Sequence, residues 1–513
     1  MTHSAPPDGA SAPPGSSPPG SSPPGSSPPD APSGAALDVA RAVASSAGPS
    51  AVTGGGAGPA CDRPSTDVLV VGGGPAGASC AYWLADAGWD VVLVEKKRFP
   101  REKTCGDGLT PRSVHQLTDM GLGDALDGAH RYDGLRSCAY GMALELPWPA
   151  HPTFPPYGYV ITRFDLDRLV VEQAAKAGAT VRQGCEAVEP LLDEAADHGA
   201  RGVRGNASGD SLLPRCTGAL VRDHATGETA PLRARYVVLA DGSNSRLGRA
   251  LGATRDRDLP FGLALRGYYR SPRHDDRFIE SHLDIRDASG NIVPGYGWIF
   301  PLGDGRVNVG VGLLSAEGRW RGMNTSQLMD VFVAQAPASW GLSPAAACGP
   351  PTGGKLPMGF AVGPRLGPTT LLVGDAAGSI NPFNGEGIAY GYETGRLAAS
   401  VLGQALAGAG DDALVDYERR LQASYGLYYQ VARDFVRLIS RPRLMQASVA
   451  TGMHSRRVMS LLLRIMANLL RPDELGAAET AYAALATVAR VGARIEAAYP
   501  PGRCTKCTSS MGS

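Results

Sequence analysis

The sequence has no excess of either charge: 49 lysines and arginines face 49 aspartates and glutamates, so the formal net charge is zero. A nucleic-acid-binding surface shows itself as a basic excess, and its absence argues against that class of partner. No stretch reaches the ~18 uninterrupted apolar residues that read as a membrane-spanning helix. The N-terminus has neither the basic region nor the apolar core of a secretory signal. Cysteines are odd in number, nine, and scattered without a framework, the pattern of reduced thiols rather than disulfides. A cytoplasmic protein, soluble or peripheral on the membrane's inner face, is expected. The first 62 residues lack aromatics and isoleucine and repeat PPGSS between Pro13 and Pro29. Such a segment cannot bury enough surface to offset chain entropy, which predicts a disordered tail. At the other end Cys504 and Cys507 have C-x-x-C spacing, but no second pair lies nearby, so 501–513 is expected to be a flexible tail.

What is present begins at Asp67. Asp67 to Val71 is a Val-rich run of the kind buried on both faces of a parallel sheet. It runs into Gly72-Gly73-Gly74-Pro75-Ala76-Gly77, which fits G-x-G-x-x-G. Gly72 permits the tight turn, Gly74 lets the backbone approach a pyrophosphate, and Gly77 lets the next helix lie close on the strand. Ala78, Ala81, Leu84 and Ala85 recur at helical spacing, and Gly88 ends that helix. Trp89 to Val94 is a second strand, closed by Glu95, 23 residues after Gly72. An acid there accepts both hydroxyls of an adenosine ribose and repels the 2′-phosphate of NADP. Strand, turn, helix, strand and acid in this order make Gly72, Gly74, Ala76, Gly77 and Glu95 candidate contacts of a bound dinucleotide.

Further on, Thr110-Pro111 reads as a helix cap and first turn, after the glycine-spaced loop Lys103 to Gly108. Thr162 through Ala177 reads as a helix and Ala179 to Val188 as a strand. Glu194 to Pro214 is polar and glycine-rich, an expected exposed insert. Ala219 to Arg222 and Thr229 to Leu232 flank a turn as a hairpin, and Tyr236 to Ala240 is a buried strand. Strand-like stretches then dominate 257–360, with few helical patterns. Thr370 to Val373 returns to a parallel-type strand ending at Gly374-Asp375, and the remainder from Tyr390 is helical. The length, 513 residues, suits about three domains. The fold class expected is α/β: a Rossmann-like dinucleotide-binding domain (63–256 and 361–410), an inserted antiparallel β-sheet domain for substrate (257–360) and a C-terminal helical region (411–500).

Three separated stretches, VGGGPAGA with Glu95, LADGSNSRLGR (Leu239 to Arg249) and VGDAAGSINPFNGEGI (Val373 to Ile388), occur in the order found in flavoproteins of the p-hydroxybenzoate hydroxylase fold. With KTCGDGLTPRSV (Lys103 to Val114) and PGYGWIFP (Pro294 to Pro301), the chain resembles the geranylgeranyl reductase family, especially its actinobacterial members that saturate the isoprenoid tail of menaquinone. The resemblance spans about 65–445 and implies FAD. A carboxylate at Asp375 can accept a ribityl hydroxyl, and Gly385 and Gly387 open a helix whose N–H groups favour negative charge. By resemblance that helix points at the flavin, and Arg112 approaches the pyrophosphate or ribityl side. Asp241 to Arg246 reads equally as a nucleotide contact and as a turn that caps its strand.

Tyr296, Trp298 and Phe300 alternate and so share one face of a strand. On periodicity alone this is ordinary sheet core; the resemblance implies a lipid tunnel beside the flavin. Cys105 sits where the family has a cysteine on the substrate side, and proton donor, thiol relay and small apolar neighbour are all open to it. Arg457 to Arg471 places Arg457, Ser460, Arg464, Asn468 and Arg471 on one stripe of an otherwise apolar helix, fitting a membrane-interfacial helix and one packed on the body. The resulting expectation is an FAD-dependent reductase of isolated C=C bonds in a polyisoprenoid lipid or quinone. A flavin monooxygenase or halogenase of the same fold and a non-catalytic prenyl-binding escort are the alternatives. No metal is expected, and the electron donor leaves no second nucleotide fingerprint.

Overall fold

A computed structural model of the protein describes residues 66–193, 213–315, 324–439, 442–471 and 476–498. The expected disordered head, most of the insert after Glu194 and the CTKC tail lie outside these residues. Thr66–Val71 is flanked by Val91–Glu95 and Thr229–Leu239, all parallel, with Thr180–Gln183 beyond the first and Thr370–Leu372 beside the second. The run of valines is explained by cover on both faces. Val68 and Val70 pack with Leu84 and Ala398, while Leu69 and Val71 pack with Ala219 and Leu247.

The helix Pro75–Asp86 starts directly after the glycine turn and is sandwiched against the helix Ile388–Gln404, over 300 residues away in sequence. Small residues permit that approach: a Cβ on Gly395 would stand 2.2 Å from the Ala76 carbonyl oxygen. The expected hairpin is present, with Cys216–Asp223 antiparallel to the first half of Thr229–Leu239. Its second arm and the expected buried strand are one element, because Leu232, Ala234 and Tyr236 point inward between exposed Arg233 and Arg235. The strand expected over Ala179 to Val188 is instead broken at Gly184, whose φ of 73° turns Cys185–Leu192 away to pair antiparallel with Cys216–Asp223.

A second sheet runs in the order Thr352–Pro357, Phe261–Arg270, Arg306–Ser315, Gly295–Pro301, Phe278–His282, Gly134–Ala139, Met142–Pro147. It is antiparallel except where Phe278–His282 lies parallel to Gly134–Ala139. Two of its strands therefore come from residues expected in the first domain, which corrects the boundary at 256. The helix Thr325–Gln335 interrupts the strands that dominate 257–360; its Phe332 and Val333 cover the outer face of the sheet over Ile299, Val309 and Val311. The inner face is left to the cavity described below.

Helices Leu427–Ile439, Pro442–Met453, Arg456–Met466 and Ala477–Ala498 complete the chain. Among the described residues no helix is long and apolar enough to cross a membrane. The helix expected over Arg457 to Arg471 ends at Met466, followed by Asn468 with φ of 54°.

Gly395→Ala should destabilise the protein. The helix-propensity gain is about 1 kcal/mol, but the new methyl meets backbone that cannot swing aside, and overpacking costs about 1–3 kcal/mol. Gly403→Ala on the same helix meets only the Trp89 indole at 3.5 Å and should gain about 0.4–1 kcal/mol. Urea midpoints of the two variants should move in opposite directions.

Candidate active site

The glycine turn has the geometry its spacing promises. Gly72 has φ of 103°, and a Cβ there would lie 2.5 Å from the Ala240 carbonyl oxygen. A Cβ on Gly77 would lie 1.9 Å from the Gly72 carbonyl oxygen, so Gly77 works beneath the turn and not in the cavity. Gly74 is the N-cap of the helix and has no capping side chain; only Arg163 Nη2, at 3.9 Å, would come near a Cβ there. That leaves backbone N–H groups and an arginine around a space that a pyrophosphate fits. Glu95 accepts from Gly73 N and Lys97 N, both at 3.0 Å, and pairs with Arg101 at 3.3 Å. Arg101 also binds Asp167 (2.8 Å), and Asp167 takes a bidentate grip from Arg163 (2.7 and 2.8 Å). Glu95 thus borders the cavity with its carboxylate held in one orientation by Gly73, Lys97 and Arg101.

Arg112 differs from expectation. Its guanidinium donates to Glu393 (2.7 Å) and to the Asn468 carbonyl (3.0 Å), under the rings of Phe154 and Tyr390. The second position of its helix turns it toward Ile388–Gln404 and the C-terminal segment, away from the cavity. Arg101 and Arg163 are the arginines beside the glycine turn. The signal for them, two arginines near an acid, was too common to read.

Asp375 follows the strand Thr370–Leu372, and a Cβ on Gly387 would stand 3.4 Å from its Oδ1. Burial raises its carboxyl pKa above the usual range, against the pull of Lys103 and Arg163. Gly387 caps the helix Ile388–Gln404 without a side chain, so the helix's first N–H groups open toward Asp375's side of the cavity. Asp241 both borders the cavity and accepts from Arg246 N at 2.9 Å, while its Oδ1 is buried without a partner.

Gly72, Gly74, Ala76, Glu95, Cys105, Asp375, Gly385 and Gly387 border one cavity of about 1010 Å³, together with Tyr296, Trp298 and Phe300. The three aromatics do share a face, with ring centroids 5.9 and 6.3 Å apart in sequence order. Across the ladder, Trp298 faces Gly310 and Tyr296 faces Gly312. A Cβ on Gly310 would fall 2.2 Å from the indole, so the alternation Asn308, Gly310, Gly312 is what lets the rings lie flat. That alternation was in the sequence but carried no motif. Tyr296 donates to the Asn384 carbonyl at 2.7 Å, and Trp298 Nε1 donates to Asn308 at 2.9 Å. Asn308 in turn donates to the Cys105 carbonyl (2.9 Å) and to Asp107 (2.8 Å), which also accepts from Tyr268 at 2.6 Å. Burial pushes the Asp107 carboxyl up to about 6 despite these donors. The Cys105 thiol is also pushed up by burial, opposed by Arg163.

Far from the glycine turn the cavity is apolar. Leu146, Trp148 and Ile279 border it from the second sheet, and Val449, Met459 and Leu462 from the C-terminal helices. Arg456–Met466 therefore turns its apolar face inward, with Met459, Leu463 and Ile465 buried, while Arg457 and Ser460 face outward. Of the two readings of this helix, these contacts are those of one packed on the body. On the opposite face of the sheet, Cys138, Glu280 and His282 gather closely enough to share an ion. Glu280's oxygens there are taken by Arg136 (2.9 Å), Trp340 (2.9 Å) and His282 (3.0 Å), a polar clamp between sheet and its cover.

Glu95→Ala should weaken FAD retention by about 2–4 kcal/mol, the loss of a charge-assisted hydrogen-bond pair. Flavin content after dialysis measures it; undiminished FAD would contradict the ribose assignment.

The model of an FAD binding domain matches residues 65–263. Menaquinone reductase of Mycolicibacterium smegmatis is 39% identical over 411 residues, covering 80% of this chain and 93% of the relative. Digeranylgeranylglycerophospholipid reductase 1 of Methanopyrus kandleri is 29% identical, covering 73% and 90%. Among solved structures, a geranylgeranyl bacteriochlorophyll reductase-like protein of Thermoplasma acidophilum superposes with a TM-score of 0.61 at 22% identity over 82% of this chain and 96% of its own. A flavin-dependent brominase superposes as well, with a TM-score of 0.62 at 17% identity over 84% and 100%, so these likenesses show the fold alone. The FAD binding domain and the family match show FAD as the cofactor, and the chain belongs to the menaquinone reductases within the geranylgeranyl reductase family of FAD-dependent oxidoreductases.

Proposed function

We propose that this protein is an FAD-dependent reductase that saturates an isolated C=C bond in the polyisoprenoid tail of menaquinone. The observation that carries this reading is the continuity of one cavity from the dinucleotide turn to an apolar half walled by aromatics and by the C-terminal helices. A polar substrate would find almost no partners in that half, whereas a prenyl chain leaves no polar group unsatisfied there. An isolated olefin has no electron sink, so adding hydride to one carbon requires a proton on the other. FAD, when bound and reduced, supplies the hydride. The protein's residues hold the olefin, exclude water and supply the acid. The faces of Tyr296, Trp298 and Phe300 suit the positive charge that develops on the substituted carbon as it is protonated.

The cavity reaches the surface between two helices. Val458 borders it and is 46% exposed, Ser448 borders it and is exposed, and Leu444 nearby is 37% exposed. Arg456 and Arg457 stand exposed beside Val458. An apolar mouth flanked by arginines suits docking on anionic lipid, with the quinone tail entering from the bilayer. The peripheral contact is thus assigned to this mouth and not to the length of 457–471.

Two measurements check this. Trp298→Ala, supplied with electrons from dithionite under anaerobic conditions, should reduce the prenyl tail more slowly by on the order of 100-fold, because an olefin misplaced by about 1 Å loses that much. FAD content should be unchanged, since the indole is not at the dinucleotide end. Turnover at the wild-type rate would mean the aromatic strand is only sheet core. Separately, the double variant Leu444→Glu with Val458→Glu should move the protein from membrane pellet to supernatant with an unchanged unfolding midpoint. Unchanged pelleting would exclude this mouth as the contact.

A further inference from the structure

Deep in the apolar half of the cavity two hydroxyls interrupt the hydrocarbon wall, those of Ser137 and Ser281. Their strands lie side by side, and the ladder sets Trp298 opposite Ser281 and Ser281 opposite Ser137. Neighbours across a ladder share a face, so both serines stand on the inner face with the Trp298 indole. The alternate residues obey the same parity. His282 turns to the outer face, where its ring meets Phe332 at 5.2 Å, and Glu280 is held there by Trp340. Among the described residues neither serine hydroxyl gives or takes a hydrogen bond. By contrast the Trp298 and Tyr296 donors beside them are taken, by Asn308 and by the Asn384 carbonyl. Ser137 is only 2% exposed, and its oxygen, unlike the sealed indole nitrogen of Trp148, keeps surface toward the cavity it borders. A buried hydroxyl without a partner is costly, and two in one wall call for a ligand that completes them. Resting on the function proposed above, we propose that Ser137 and Ser281 form the subsite for the substrate's quinone headgroup, both donating to the carbonyl oxygen beside the tail.

The chemistry of the pair selects this ligand. Backbones of neighbouring strands lie about 4.8 Å apart, a spacing at which two hydroxyls reach one oxygen placed between them. A carbonyl oxygen has two lone pairs with which to accept both. Among the described residues, no charged side chain of Gly134–Ala139, Met142–Pro147, Phe278–His282, Pro442–Met453 or Arg456–Met466 borders the cavity. A phosphate or diphosphate would therefore give up its water here with no cation to receive it. A bare hydrocarbon end would leave both hydroxyls unpaired. A neutral acceptor attached to a greasy chain meets both conditions.

Their position gives the pair a second task. The C-terminal helices close the cavity over the strands Gly134–Ala139 and Met142–Pro147, with Val449 and Leu462 packed in one cluster with Leu135, Leu144 and Leu146. The serines therefore lie between the mouth and the aromatic strand, Ser281 one strand from Trp298 and Ser137 two. A headgroup held there enters the protein with the first stretch of its tail instead of staying in the lipid. The sheet fixes the separation between that carbonyl and Trp298, so it sets which C=C along the tail lies against the aromatic rings. Slippage by one isoprene unit would carry the carbonyl off both hydroxyls and into hydrocarbon, a loss that discriminates between otherwise similar olefins. The rings hold the olefin that arrives, and the serines choose it.

The test compares wild type, S281A and the double variant S137A/S281A as FAD-loaded proteins, with menaquinone isotope-labelled at its ring carbonyls. Isotope-edited infrared spectra, taken with the flavin oxidised, need no turnover. Bound to wild type, one carbonyl stretch should lie below its position in hydrocarbon solvent, because hydrogen bonding lowers it. In the double variant it should return toward that position. Under dithionite without oxygen, wild type should saturate a single position of the tail. The double variant should spread saturation over neighbouring units, with the KM for menaquinone raised on the order of 10-fold by the loss of two neutral hydrogen bonds. A carbonyl band that is the same in wild type and double variant overturns the proposal, as does saturation of the same single position at the wild-type KM. The hydroxyls then hold only water, and the reductase reading stands. Saturation already spread over several units in wild type also counts against the choosing role. Should the double variant fail to hold FAD, S281A decides by the same readouts. No saturated product from wild type overturns the reductase reading and, with it, this proposal.

Discussion

The site depends on a close approach at Ala76. Three glycines from the far half of the chain converge on this residue of the first helical turn. A Cβ on Gly395 would stand 2.2 Å from its carbonyl oxygen, one on Gly374 2.7 Å from its methyl, and one on Gly391 3.4 Å from its nitrogen. This contact sets the distance between the glycine turn and Asp375 with Gly387. On the proposed reading FAD spans both, so an error of an ångström at Ala76 would be an error at the reacting atoms. The helix Ile388–Gln404 carries small residues on this face because function and packing ask for the same thing.

The polar groups around the cavity form two networks with different tasks. Arg163, Asp167, Arg101 and Glu95 form a closed chain of charge-assisted bonds at the dinucleotide end, where a double negative charge must be received. Beside the aromatic strand Asp107 and Asn308 tie the Cys105 loop to Trp298. Fully paired, such a network holds geometry; a group left unpaired within it is costly and invites a functional explanation.

Much of this was legible in the sequence, for identifiable reasons. Gly72, Gly74 and Ala76 of the glycine turn, Glu95 and Asp375 belong to strand–turn–helix patterns in which local sequence says where the backbone lies, and the structure brings them to one cavity. Tyr296, Trp298 and Phe300 were readable because strand periodicity is two. Less legible was anything that depends on pairing between distant strands: the membership of Gly134–Ala139 and Met142–Pro147 in the second sheet, or Gly310 and Gly312 as the floor under the aromatics. Arg112 went astray because a motif position says where a backbone lies, whereas its side chain found Glu393 and Asn468, far away in the chain. For the helix at Arg456–Met466 the sequence left the interfacial and the body-packed readings level, since the cavity that its apolar face borders does not show in the sequence.

The central claim is that reducing equivalents delivered to FAD here end in a prenyl tail. The measurement that tests it most directly is the mass of the menaquinone tail after a single anaerobic turnover of dithionite-reduced wild-type protein. The account predicts a tail heavier by one pair of hydrogens, formed without oxygen, in step with reoxidation of the flavin. A tail of unchanged mass beside a reduced flavin that never reoxidises, or product that appears only when oxygen or halide is admitted, would contradict it.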